Sequence, residues 1–388
     1  MDILQKNIKN LFQESFGRES FLVRAPGRIN LIGEHTDYNL GFVLPAAIDK
    51  QLYFAMGNNT EATLCIKSLN CQNEVIINPA NCILSAESSW KRYFEAMTLE
   101  LTSRGYRPEG VHAVFGGDIP IGAGLSSSAA LCCGFIFGLS ELLHWNIPRE
   151  EIALIAQATE HRVELNCGLM DQYAVLFGKA DEVICLDCRD LTFRYFPLKL
   201  DGYKLVLIDS QVIHELAADS GYNQRRASCE NVVGRIAKDI SAVQSLRDID
   251  EATLAKYQSF LDPIDLKRAF YVLKENQRVL EVMEALEKGD IFAVGQRLFA
   301  SHDGLQHEYE VTTPELDFLV TQARIEKNIL GARMVGGGFG GCTLNLMREE
   351  NWEEVIQRIC EAYQKKTQIQ ATFHEVSIRD GIDLVNNR

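Results

Sequence analysis

The 388-residue chain lacks any apolar run long enough to cross a membrane. Its longest, residues 129–139, falls short of the roughly 20 residues a helical span needs and suits a buried helix instead. The opening, MDILQKNIKNLFQESFG, lacks the apolar stretch of a secretory signal. It spaces Ile3, Leu4, Ile8, Leu11 and Phe12 along one helix face. Positive charge is also scarce: 39 Lys and Arg face 53 Asp and Glu, a net charge of −14. That balance argues against nucleic acid or an anionic membrane as partner, because such binding needs clustered cations that release counterions. Any phosphate it takes should be small and held locally. Eleven cysteines at irregular spacing make no disulfide framework and read as reduced thiols in a cytoplasmic setting. Cys185 and Cys188 form a CxxC in a strand-like run, where residues three apart point to opposite faces, which argues against a zinc or redox pair.

What is present is the profile of an ordinary globular protein, 46% hydrophobic and 24% charged with 28 Gly and 9 Pro. The length predicts two domains with a sizeable core. Strand-like runs at 21–25, 51–56, 63–67 and 111–115 mix with helical patterns at 90–104, 128–143 and 149–165, without regular βαβ alternation. After a strand-like run at 203–209 the pattern is helical from 222 to about 325, then returns to short strands near 334 and 343–347. The fold class is therefore α+β in two parts, residues 1–198 and 199–388.

Four segments concentrate chemistry. The segment Gly116 to Ala130, GGDIPIGAGLSSSAA, follows a strand and opens a helix. Gly122 and Gly124 let backbone N–H groups turn toward an anion, the helix start adds positive potential, and Ser126, Ser127 and Ser128 offer hydroxyls. The same serines could simply cap the helix. No GxxxxGK[ST] occurs, so the P-loop is excluded. A second glycine run, GGGFGG at 336–341, contains GxGxxG but precedes a strand rather than a helix, so the dinucleotide-binding context fails. It is either a bare backbone for close approach or a tight turn between strands. Residues 24–38, RAPGRINLIGEHTDY, place Arg28, Glu34, His35 and Asp37 within ten positions: a hydrogen-bonding set for a polyol, or a solvated loop with ion pairs. Residues 159–172 carry Glu160 and Glu164 one turn apart on a helix, then Asp171 after a glycine turn. Asp171 is a candidate general base or a helix cap.

Taken together and in order, these motifs resemble a known family. APGRINLIGEHTDY (25–38) is similar to the galactokinase signature, GAGLSSSAA (122–130) to the ATP loop of the GHMP kinases, and GGGFGG to that superfamily's third motif. The resemblance implies a GHMP-kinase-like fold with the active site in the interdomain cleft. It implies transfer of the γ-phosphate of MgATP to the C1 hydroxyl of galactose, as in galactose catabolism. By the same resemblance Asp171 is the catalytic base and Arg28 its charge partner. Glu34, His35, Asp37, Gly168 and Tyr222 are sugar contacts. Gly122, Ala123, Gly124, Leu125, Ser126, Ser127 and Ser128 bind the nucleotide, with Trp90 bordering the adenine, and Ser128 and Glu160 hold Mg²⁺. Two features depart from the family pattern. The interval from Glu160 to Asp171 is one residue shorter, which leaves Glu164 as an alternative ligand, and Cys132 stands where Glu is common. The rival readings are a non-catalytic regulator binding the same ligands, and a related kinase for N-acetylgalactosamine, mevalonate or homoserine. The complete set Arg28, Asp171 and residues 126–130 leans against the first, and EHTDYN at 34–39 against the second. Oligomeric state is not legible, and a monomer is compatible with everything above.

Overall fold

The computed structural model describes residues 3–71, 73–86, 89–120, 122–212 and 220–385. Thirteen strands run through them: β1 (Phe21–Asn30), β2 (Phe42–Val43), β3 (Pro45–Asn58), β4 (Leu64–Ser68), β5 (Glu74–Ile77), β6 (Val111–Gly117), β7 (Glu182–Asp187), β8 (Phe193–Pro197), β9 (Tyr203–Asp209), β10 (Ile329–Met334), β11 (Cys342–Arg348), β12 (Thr372–Val376) and β13 (Asp383–Leu384). The helices are α1 (Ile3–Phe16), α2 (Trp90–Ser103), α3 (Ser127–Leu142), α4 (Arg149–Arg162), α5 (Met170–Phe177), α6 (Ser220–Ile236), α7 (Glu251–Lys256), α8 (Pro263–Glu287), α9 (Ile291–Gly304), α10 (Pro314–Ile325) and α11 (Trp352–Thr367).

The strands form three sheets, ordered β13-β1-β3-β6-β4-β5, β10-β11-β9-β12 and β2-β7-β8. Pairing is antiparallel except between β4 and β6. Every expected strand and helix of the first half is found, and α4 ends at Arg162, three residues earlier than its pattern. In α1, Ile8 and Phe12 are fully buried while Ile3 is 78% exposed, so the packed face is shorter than the apolar spacing. Strands β5, β8 and β12 and helix α11 add to the expected pattern. The stripe Val355, Ile356, Ile359, Cys360 and Tyr363 seats α11 on the second sheet's core. The tail after β12 returns to the first sheet, where β13 pairs with β1 at Val23 and Arg24.

Two helices position the site. Helix α3 is buried continuously over residues 129–140, as a helix apolar all round must be. It packs on β1 and β3 of the first sheet. Helix α8 starts at Pro263 behind Asp262, whose carboxylate accepts from the Ile264 and Asp265 N–H groups. It carries Val279, Val282 and Leu286 into the main core and packs against β2 and β8. Cys185 and Cys188 are both buried free thiols, and all eleven cysteines are unpaired. Among the described residues no helix is long and apolar enough to cross a membrane.

Candidate active site

One pocket gathers most of the residues singled out from sequence. Arg28, Glu34, His35, Asp37, Gly168 and Tyr222 line it together with Gly122, Gly124, Leu125, Ser126, Ser127 and Ser128, with Asp171 among them. Ala123 is buried beneath its loop at 1% exposure. Ile121 lies outside the described residues. Trp90 stands off the lining: its ring packs edge-on against Phe94 and Phe115, with centroids 5.6 and 5.2 Å away.

Asp171 lies in the first turn of α5, where the helix N-terminus favours negative charge. Arg28 grips it bidentately, Nε to Oδ1 at 2.7 Å and Nη2 to Oδ2 at 3.0 Å, and its Nη1 donates to the Gly124 carbonyl at 2.5 Å. A planar guanidinium holding both carboxylate oxygens fixes their orientation. Burial opposes the Arg28 charge, but the carboxylates of Asp171 and Glu34 outweigh it and raise its pKa. Ser126 donates a short hydrogen bond to Asp171 Oδ2. Ser126 is also the N-cap of α3 and adopts the left-handed region, φ 55°. A non-glycine residue held there must be over-determined by its surroundings, as strained residues at functional sites are.

The segment at 33–41 is tied inward by its own side chains. Thr36 Oγ1 lies within hydrogen-bond reach of the Gly33 and Phe42 carbonyls, at 2.8 and 2.7 Å, and Asn39 Nδ2 donates to the His35 carbonyl at 2.9 Å. His35 too is left-handed, φ 64°. Glu34 is 1% exposed. Its Oε1 accepts from Arg333 Nη2 at 2.9 Å and from the Gly336 N–H at 2.8 Å, and its Oε2 from Asn30 Nδ2 at 3.0 Å. Asp37 faces Gly168, where a Cβ would stand 2.1 Å from Asp37 Oδ2, so only glycine lets that carboxylate in. Burial, then the Asp171 charge, pushes the Asp37 carboxyl up to about 7. Burial, then the Arg225 charge, drives His35 down to about 3, so its imidazole is neutral.

Behind Ser128 lies Glu160, 2% exposed. Its Oε1 accepts from Ser128 Oγ at 2.6 Å, and its Oε2 takes a short bond from Gln172 Nε2. Burial raises its carboxyl to about 7, and the charge of Asp171 adds to the shift. Glu164 points elsewhere: its side chain is 74% exposed and pairs with Arg92 at 3.2 Å. Among the described residues no group of three or more His, Cys, Asp or Glu could hold a metal by itself. Ser128 and Glu160 nevertheless suit Mg²⁺, which prefers hard oxygens, one or two carboxylates, and water and phosphate for the rest of its shell. A cation there would also relieve the cost of a carboxylate buried near Asp171.

The GGGFGG run is both things its sequence allowed: it turns the chain between β10 and β11, and it is approached closely. Gly336, φ 83°, abuts Gly124, so a Cβ on it would lie 3.1 Å from the Gly124 carbonyl. The two glycine loops thus meet backbone to backbone and wall the pocket together.

Sequence reasoning missed several residues at the site. Arg333 is fully buried and, besides Glu34, donates to the Leu31 carbonyl at 2.9 Å. Tyr38 and Tyr309 stand behind His35, Gln172 behind Glu160, and Tyr271 donates to the Glu34 carbonyl at 3.0 Å. Tyr38 and Gln172 sit inside quoted motifs and could have been found. Arg333 and Tyr271 lie more than 230 positions from Glu34, and Tyr309 as far from Tyr38, so they leave no local signal.

The galactokinase galactose-binding signature matches residues 10–58, the GHMP kinases N terminal domain 91–179, and the GHMP kinases C terminal 282–365. The chain is 39% identical over 364 residues to galactokinase of Thermotoga maritima, covering 94% of this chain and 99% of that one. It is 38% identical over 380 residues to galactokinase of Roseiflexus sp., covering 97% and 96%. The crystal structure of Lactococcus lactis galactokinase complexed with galactose superposes with a TM-score of 0.93 at 31% identity, covering 97% and 98%. Mevalonate kinase of Methanococcus jannaschii, at 17% identity and a TM-score of 0.68 over 93% and 99%, shares the fold. With its signatures matched, and its sequence and fold similar to these relatives over nearly its whole length, the chain belongs to the galactokinase family of the GHMP kinases.

Proposed function

We infer that this chain transfers the γ-phosphate of MgATP to the C1 hydroxyl of galactose, giving galactose 1-phosphate and ADP. The observation that carries the reading is Asp171 held by Arg28 and Ser126, between the segment bearing His35 and Asp37 and the glycine loop at the start of α3. Asp171 accepts the C1 hydroxyl proton as that oxygen bonds to the γ-phosphorus. The bond to the β,γ-bridging oxygen breaks, and ADP leaves with the electron pair. Arg28 orients the base and stands beside the oxygens where charge builds. With no lysine in residues 116–130, backbone N–H groups at the α3 terminus carry much of the phosphate binding. Mg²⁺, held by Ser128 and Glu160, would supply neutralisation of the triphosphate charge. His35, Asp37, Gly168 and Tyr222 bind the sugar; Glu34, whose carboxylate is engaged by protein groups, supports them. Trp90 borders the adenine side.

The reading extends to the molecule as a whole. Residues 1–198 and 199–388 are taken as the two domains, with the β13 tail returning to the first. Eleven unpaired thiols favour the cytoplasm.

Asp171→Asn keeps the shape but cannot take the proton. Turnover in an ADP-release assay should fall by about 10² to 10⁴, while ATP still binds. Near-normal turnover would overturn the assignment of the base.

A further inference from the structure

His35 is 4% exposed and enclosed by three phenol rings, Tyr38, Tyr222 and Tyr309, with centroids 5.8, 5.4 and 4.8 Å from its own. Its Nδ1 lies 2.8 Å from the Tyr38 hydroxyl, which lies 2.8 Å from the Tyr309 hydroxyl, which lies 3.4 Å from Cys229 Sγ. The line runs from the segment bearing His35 through the turn after α9 to α6. The other ring nitrogen, Nε2, is buried and makes no hydrogen bond of good geometry with any described residue.

We propose that Tyr38 and Tyr309 are positioning residues that act through His35, their linked hydroxyls holding the imidazole as the Nε2–H tautomer, a donor to a sugar oxygen in the pocket. That the pocket takes a sugar rests on the function inferred above; the tautomer rests on the geometry alone.

The direction of the line follows from the chemistry of its members. An unprotonated imidazole nitrogen is a better acceptor than a phenol oxygen, and a phenol is a better donor than a neutral imidazole N–H. The Tyr38 hydroxyl therefore donates to Nδ1, its oxygen accepts from Tyr309, and the Cys229 thiol ends the line as a weak donor. Reversing it would end on sulfur as sole acceptor, the weaker arrangement. Burial raises both tyrosines and holds the Cys229 thiol up at about 11, so all three keep their protons. Arg225 and Arg333 face the ring and disfavour its cation, while the Gly337 backbone favours a proton on it.

An independent feature marks Tyr309. It is the last residue of a π-helical turn, Leu305–Tyr309, and the next residue, Glu310, is left-handed at φ 58°. Such turns are rare and recur at functional sites. Arg225 fixes the turn by donating to the Tyr309 carbonyl at 3.2 Å and to that of Glu310, and Tyr271 packs on the ring at 4.6 Å between centroids. A fixed donor at His35 complements Asp37, an acceptor lining the same pocket.

The test is the imidazole ¹⁵N spectrum of the ligand-free protein, with His35 assigned by comparison with His35→Asn among the eight histidines. The expected pattern is Nε2 protonated and Nδ1 bare; the opposite pattern overturns the proposal, whatever the substrate proves to be. Tyr38→Phe should shift both nitrogens toward an exchanging mixture and weaken galactose binding in calorimetry about tenfold. ATP affinity should stay within about twofold of the starting protein. Tyr309→Phe should move both readouts in the same direction by less, and a wild-type result for it removes Tyr309 from the proposal. Equal loss of galactose and ATP affinity in Tyr38→Phe would mean a merely structural role and overturn it. If galactose fails to bind the unmodified protein, the inferred function falls while the nitrogen shifts still decide the tautomer.

Discussion

Besides Glu34, three carboxylates lie at the pocket, Asp37, Asp171 and Glu160, and their partners differ. Asp171 has a guanidinium on both oxygens, whereas Asp37 and Glu160 are raised to about 7 by burial and by the charge of Asp171. A carboxylate with no cation at hand is the place where a metal or a hydroxyl cluster is most welcome. The choice between Glu160 and Glu164, open on sequence because both lie one turn apart, is argued by burial: one faces Ser128, the other faces water and Arg92. Glu160→Gln should raise the Mg²⁺ concentration for half-maximal ADP release by about tenfold or more, since it removes the charged ligand. Glu164→Gln should leave it unchanged. Reversed results would move the ligand by one helical turn.

At the scale of elements, the site is made where loops touch. The turn between α4 and α5 meets the segment bearing Asp37 at Gly168, and the glycine loop before α3 meets the β10–β11 turn at Gly336. The motifs announced that these glycines mattered, but not what each one faces. That information is absent locally, because Asp37 and Gly168 are 131 positions apart and meet only through the packing of α5 against β1 and β3. Gly168→Ala would set a Cβ against Asp37 Oδ2 and turn the carboxylate out of place. Galactose affinity should then fall by about 10² or more, as for a site whose polar partner is misplaced, with ATP affinity nearly unchanged. Calorimetric titration with each ligand separates the two. Equal losses would mean that the turn supports the pocket generally rather than Asp37.

Across the whole molecule, the link that joins the late strand β10 to the first sheet is a buried ion pair. Arg333, on β10, reaches the Leu31 carbonyl and the Glu34 carboxylate at the end of β1, both partners almost wholly excluded from water. Removing one member of such a pair leaves an uncompensated buried charge, which costs about 3–5 kcal/mol. Arg333→Met should therefore lower unfolding stability by about that amount in a denaturant titration, and Glu34→Gln added to it should recover part of the loss. Full additivity of the two changes would show that they are not coupled.

By itself the sequence determined the helices and strands whose periodicity is strong, the order of the motifs, and most of the residues that line the pocket, because glycine-rich backbone and clustered polar groups are costly without partners. The short strands β5 and β8, the return of β13 to the first sheet, and the partners Arg333, Tyr271 and Tyr309 were decided only by tertiary structure. The physical reason is distance along the chain. A helix or strand is specified by neighbours a few positions away, whereas a buried charge or a hydroxyl line is specified by whatever the packed fold brings beside it, here from some 230 to 300 residues off.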